Sequence, residues 1–141
     1  MNNLIIKRSQ LIEAQFTGTP ASGKKYQFTT IENISRNNIV IYGFEAFTAT
    51  QLAVTPNNNT VIASGVSDQL VVTLIDNDNK ERVYQLPYYT AIRSLNGGFV
   101  LMVKPFILNL TRSYVQITSA TGISANEVAS INLYYSIVGE D

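Results

Sequence analysis

Near its end the chain alternates strictly: Ile131, Leu133, Tyr135 and Ile137 take turns with Asn132, Tyr134, Ser136 and Val138. A period of two places one set on each face of an extended strand, which excludes a helix and predicts a half-buried β-strand. The same period recurs upstream in short runs, each closed by a turn signal. Ile12, Ala14 and Phe16 alternate with polar neighbours until Gly18-Thr19-Pro20-Ala21-Ser22-Gly23 breaks the chain. Tyr26 and Phe28 form the next inward pair, and Asn33 to Asn38 is a polar connection. The run Ile39 to Phe47 is apolar on both faces, which predicts a central strand covered on both sides.

Gln51 to Thr55 reads as a short strand ended by Pro56-Asn57-Asn58-Asn59, and Val61 and Ala63 follow. Leu70, Val72 and Leu74 form one arm of a hairpin and Arg82 to Leu86 the other. Asp76-Asn77-Asp78-Asn79 makes its turn, because Asp and Asn tolerate positive φ and bond to their own backbone. Pro87 opens a further segment, Tyr88 to Arg93, and Asn96-Gly97-Gly98 is a tight turn. Phe99 to Val103 and Phe106 to Thr111 read as strands separated by Lys104-Pro105, where proline implies an edge, a bulge or a bend. Val115 and Ile117 mark another strand, and the polar stretch Ser119 to Ser130 has room for one helical turn at Ala125 to Ala129. About ten short strands at this spacing predict an all-β sandwich or barrel, antiparallel, in one domain spanning residues 1–141.

Composition narrows the function. There is no Cys and no His, so disulfides, Cys/His zinc sites and catalysis through a histidine base or cysteine nucleophile are excluded. Charged residues make up 14%, well below the usual share of about 25%. Asn, Thr, Ser and Gln supply the missing polarity, and uncharged amides and hydroxyls are cheaper to desolvate against a neighbour than ions. The net charge is zero, which argues against a nucleic-acid partner. The pairs Lys7-Arg8 and Lys24-Lys25 read as solvated edge or loop charges. Leu4-Ile5-Ile6 is too short for a signal-peptide core, and no run is long enough for a membrane span, so neither is expected.

Candidate chemistry is sparse. Asp76, Asp78 and Glu81 resemble a calcium loop, but Lys80 stands at a ligand position and no glycine or closing glutamate follows, so the hairpin turn is preferred. Glu13, Glu32, Glu45 and Glu127 are scattered. Glu45 lies inside an apolar run, where a carboxylate needs a partner; an ion pair with Arg93 or Arg112 is preferred over a catalytic acid. Asn96-Gly97-Gly98 has no following helix to make it a phosphate loop. The doublets Tyr88-Tyr89 and Tyr134-Tyr135 each place one ring inward and one outward. The outward rings suit packing or a protein interface before a sugar. The chain is therefore read as a non-enzyme, with no catalytic, cofactor-binding or metal-binding residue and no cofactor.

Two stretches carry a resemblance: Asn33-Ile34-Ser35 with Asn38-Ile39-Val40-Ile41-Tyr42-Gly43-Phe44-Glu45-Ala46-Phe47, and Phe106-Ile107-Leu108-Asn109-Leu110-Thr111-Arg112-Ser113-Tyr114-Val115-Gln116-Ile117. Between them lie the loop at Pro56, the Val72-Thr73-Leu74 strand and Leu86-Pro87-Tyr88. Over roughly residues 30 to 120 the pattern resembles small jelly-roll structural proteins of bacteriophage virions, above all minor capsid and penton proteins of tailless icosahedral lipid-containing phages. The resemblance implies a single jelly-roll sandwich of eight to ten strands, made in the host cytoplasm and located in the virion capsid. It implies a homo-oligomer, a pentamer or trimer, docked on the major capsid protein, with no active-site residue. A carbohydrate-binding sandwich using exposed tyrosines and the loops Pro56 to Asn59 and Ser119 to Asn126 is the alternative expectation. A hydrolase working with carboxylates alone is a third, and it needs two carboxyl groups within about 10 Å in a cleft.

Overall fold

A computed structural model describes residues 8–29, 39–92 and 101–137. Eight strands lie among them: β1 (Arg8–Gln15), β2 (Lys25–Gln27), β3 (Ile39–Phe47), β4 (Leu70–Ile75), β5 (Glu81–Pro87), β6 (Leu101–Ile107), β7 (Tyr114–Ile117) and β8 (Val128–Ile137). Three short 3-10 helices, Ser64–Gln69, Tyr88–Ala91 and Leu110–Arg112, complete the described elements. Among the described residues no helix is long and apolar enough to cross a membrane.

The strands form two antiparallel four-stranded sheets, ordered β1-β8-β3-β6 and β2-β7-β4-β5. The orders have a simple origin. β4 pairs with β5, β3 with β6, β2 with β7 and β1 with β8, as if the chain doubled back between β4 and β5 into one long hairpin. Successive pairs then alternate between the sheets, and the contacts β3–β8 and β4–β7 zip each sheet together. This nesting is the jelly roll, an eight-stranded sandwich of two Greek keys.

The inward set of each strand builds the core. Ile12, Ala14, Phe44, Ala46, Ile131 and Leu133 from one sheet face Leu70, Val72, Leu74, Val115 and Ile117 from the other, all buried. A fully buried aliphatic side chain of this kind contributes about 1.5–3 kcal/mol. Phe16, just past β1, meets Tyr26 of β2 edge-to-face, with ring centroids 5.0 Å apart and planes inclined by 69°.

Several elements depart from the sequence reading. Lys104-Pro105 does not divide two strands, since β6 runs through both. β6 is an edge strand, and between the pairs Ile41–Phe106 and Gly43–Met102 it holds three residues where β3 holds one. Proline therefore sits in a bulge on an edge, where its missing N–H breaks no rung. Phe106 and Ile107 belong to β6, and Leu110–Arg112 is a 3-10 turn in place of the rest of that expected strand. Tyr88–Ala91 is also 3-10 and not extended. Val54 makes a single bridge to Thr60 instead of a strand. Ala125 and Asn126 form a turn, and β8 begins at Val128. The Asn33–Asn38 connection, the Asn96-Gly97-Gly98 turn and Arg93 lie outside the described residues.

The hairpin from β4 to β5 turns as expected, and its organiser is Asp76. The Asp76 carboxylate accepts the backbone N–H groups of Asp78 and Lys80, both at 2.9 Å, and the Arg82 Nε–H at 2.5 Å. Asn79 takes the positive φ, 62°, that Asn tolerates. The Lys80 N–H above all, helped by Arg82 and the Asp78 N–H against the opposing effect of burial, holds the Asp76 carboxyl below the ordinary carboxylate range. A depressed folded-state pKa means that stabilisation is complete above the unfolded value and disappears as pH falls through the folded one. Urea midpoints of the native protein are expected to fall on acidification below the usual carboxylate range. Asp76→Asn is expected to lower the neutral-pH midpoint and flatten that acid limb.

Candidate functional site

The described surface of the β1-β8-β3-β6 sheet can be laid out from its register. Across β1, β8 and β3 the outward rows are Ser9–Tyr134–Gly43, Leu11–Asn132–Glu45 and Glu13–Ser130–Phe47. An open groove of about 690 Å³ runs over this grid. Its floor includes Leu11, Glu13, Glu45, Phe47 and Asn132, and its rim is Gln51, Leu52, Pro56 and Asn57 from the connection after β3. That connection explains why Ile39–Phe47 is apolar on both faces: the inward residues meet the core, and Phe47 lies beneath a loop.

The groove brings together two carboxylates that are far apart in sequence. Glu13 is 5% exposed and Glu45 0%. They flank β8, opposite Ser130 and Asn132. With strands about 4.8 Å apart and a rise of about 3.3 Å per residue, their Cα atoms stand about 12 Å apart. Each is engaged. Glu13 accepts the side-chain amides of Asn57, at 3.1 Å, and Asn59, closer still. Glu45 accepts the Tyr134 hydroxyl at 3.0 Å. Arg112, one of the two partners expected for Glu45, stands elsewhere, beside β2 and β7, and Arg93 is outside the described residues. The Glu13 bonds pin the Pro56–Asn59 turn to the sheet.

The other candidates separate. Asp76 spends its carboxylate on the turn and on Arg82, while Asp78 and Glu81 are exposed. Tyr135 is buried and donates to Gln10 at 3.1 Å, whereas Tyr134 lies on the outer face. Tyr88 is wholly buried and Tyr89 is 43% exposed, so both doublets split inward and outward, the second by strand alternation and the first within a 3-10 turn. Tyr84, in the β5 edge strand, is 58% exposed. β5 carries two bulges against β4, and Gln85 adopts a positive φ of 50° at the first, which throws Tyr84 outward. The Ser119–Asn126 loop does not line this groove; Gly122 lies against Val66 of the Ser64–Gln69 turn.

Comparison with protein-family models, with curated proteins and with solved structures finds no match for this chain.

Proposed function

We propose that the protein is a virion structural subunit, a capsid-associated jelly roll of the penton or minor capsid type, working by self-association and by docking on a major capsid protein. The observation that carries this reading is the nested strand order, an architecture common to viral capsid and lectin domains. An architecture alone does not fix a function, so the surface must agree. It does: charge is sparse, amides and hydroxyls are abundant, and Tyr84 and Tyr89 project from the β5 edge and the turn that follows it. Exposed tyrosines of this sort anchor interfaces. The mechanism is burial of strand faces and loop tips between subunits in a closed ring, with no chemical step.

Sedimentation and native mass measurement are expected to give a homo-oligomer, a pentamer or trimer, or co-sedimentation with a capsid shell. Replacing Tyr84 and Tyr89 with serine is expected to raise the dissociation constant at least about tenfold. A monodisperse monomer with no affinity for a shell overturns the reading. A carbohydrate-binding module is the second reading, and the acidic groove favours it: carboxylates and amides lie beside Phe47, Leu52 and Pro56, suited to the hydroxyls and apolar faces of a sugar. Saturable binding of neutral glycans on an array, lost in Glu13→Ala, selects it.

A further inference from the structure

The outer face of the β2-β7-β4-β5 sheet can also be laid out from its register. Leu70, Val72, Leu74, Val115 and Ile117 point into the core, so the residues between them point out. On the two central strands these are Tyr114 and Gln116 of β7 and Val71, Thr73 and Ile75 of β4. None of them is charged. Thr73 is buried, with its hydroxyl accepting the Gln85 N–H, and the others are half-buried. The solvated face of an antiparallel sheet is ordinarily polar, so a centre that includes Val71, Ile75 and Tyr114 needs a reason. The charge stands at two corners instead. Lys25 of β2 lies in the row Lys25–Gln116–Val71–Pro87, and Glu81 of β5 lies opposite Ile75, further along β4. Both are exposed, and neither forms an ion pair among the described residues. A charge-depleted centre inside a charged rim is the composition of a protein–protein contact.

We propose that this face pairs with the same face of a second copy across a two-fold axis. The diagonal placing of the charges selects that partner. With strands about 4.8 Å apart and a rise of about 3.3 Å per residue, Lys25 and Glu81 are separated by about 14 Å across the sheet and about 13 Å along it. Take an axis parallel to the sheet, perpendicular to that diagonal and passing over the Thr73–Tyr114 pair. It exchanges the corners, so Lys25 of each copy meets Glu81 of the other. The same rotation crosses the strands of the two copies at about 90°, one of the two angles at which sheets pack face to face. Lys25 is already laid across the face, its ammonium 4.7 Å from the centroid of the Tyr114 ring. A two-fold contact is self-complementary by construction, which is what opposite charges at opposite corners provide. The inference goes beyond the virion reading and does not depend on a ring, because Tyr84 and Tyr89 project from the β5 edge and the turn after it, whereas this contact uses the face.

The test is sedimentation equilibrium of the full chain over about 1–200 μM, where a dimer is expected to form. Lys25→Glu and Glu81→Lys are each expected to raise its dissociation constant at least about fivefold, because each turns two attractions into two repulsions. The double variant, with the charges exchanged, is expected to return to within about threefold of the native constant. Both side chains are exposed, so urea midpoints are expected to hold in all three variants. A chain that stays monomeric over that range, single reversals that leave the constant unchanged, or a double variant no tighter than the singles overturns the proposal. A ring or shell-bound chain that ignores the charge exchange overturns the proposal and leaves the virion reading standing. A dimer that follows the exchange, yet forms no ring and binds no shell, overturns only the virion reading.

Discussion

Tyr88→Phe is expected to lower stability by about 2–4 kcal/mol, although it removes a single oxygen atom. The Tyr88 ring is wholly buried in the turn that carries the chain from β5 towards β6. Its hydroxyl lies 2.6 Å from the carbonyl oxygen of Phe47 and 2.8 Å from that of Ser130, and it accepts the Ser130 N–H at 3.1 Å. Phe47 and Ser130 form the last rung of the β3–β8 ladder, so the hydroxyl plugs the end of the sheet. Burial pushes its ionisation above the ordinary tyrosine range, against the opposing effect of backbone hydrogen bonding from Ser130 and Phe47, so it stays a donor throughout the accessible pH range. Phenylalanine fills the same space but takes a hydrogen-bond partner from buried backbone groups of Phe47 and Ser130, a loss of about 1–3 kcal/mol for each group that finds no replacement. Urea unfolding would show the loss as a shifted midpoint with an unchanged slope. A variant within about 0.5 kcal/mol of the native chain would show that the plug does not hold the sheet.

Phe16→Ala is expected to cost more, about 3–5 kcal/mol, the range for deleting a fully buried aromatic ring. Phe16 follows β1 in one sheet and packs against Tyr26 of β2 in the other, so it ties an edge strand of only three residues to the core. Its backbone is fixed as well, with the N–H bound to Glu127 and the carbonyl to Asn126. Against a total stability of about 5–15 kcal/mol, the substitution takes a large share. Hydrogen exchange is expected to accelerate first in β2 and its partner β7. Phe16→Leu, which refills most of the space, should recover more than half of the loss. An alanine variant as stable as the native chain would mean that β2 is held by its ladder alone.

The fold was legible where one face of a strand is wet. Ile12, Ala14 and Phe16, then Ile131, Leu133 and Tyr135, all lie inward as alternation requires. Asp76 and Asn79 signalled their turn through local chemistry that needs no distant partner. Legibility ended where structure depends on sequence-remote neighbours. Tyr88–Ala91 looks extended by residue type, yet it is a 3-10 turn because its hydroxyl must reach the end of a sheet built from β3 and β8. The proline of β6 allowed an edge, a bulge or a bend, and only the pairing with β3 shows that an edge and a bulge coincide. Glu13 and Glu45 share a groove because both flank β8, a strand that follows them by most of the chain. No local spacing encodes that meeting.

The nested pairing also sets an order of events for a newly made chain. β4 and β5 are close in sequence and can zip as soon as both exist, but β1 must wait for β8. β8 lies between β1 and β3, so the sheet that contains it stays split into unjoined pieces until synthesis reaches residue 137. Topologies dominated by such long loop closures fold slowly, in milliseconds to seconds. During that interval Ile12, Ala14 and Phe16 have no sheet partner to cover them, and a strand left open in this way is most prone to pair with the wrong molecule.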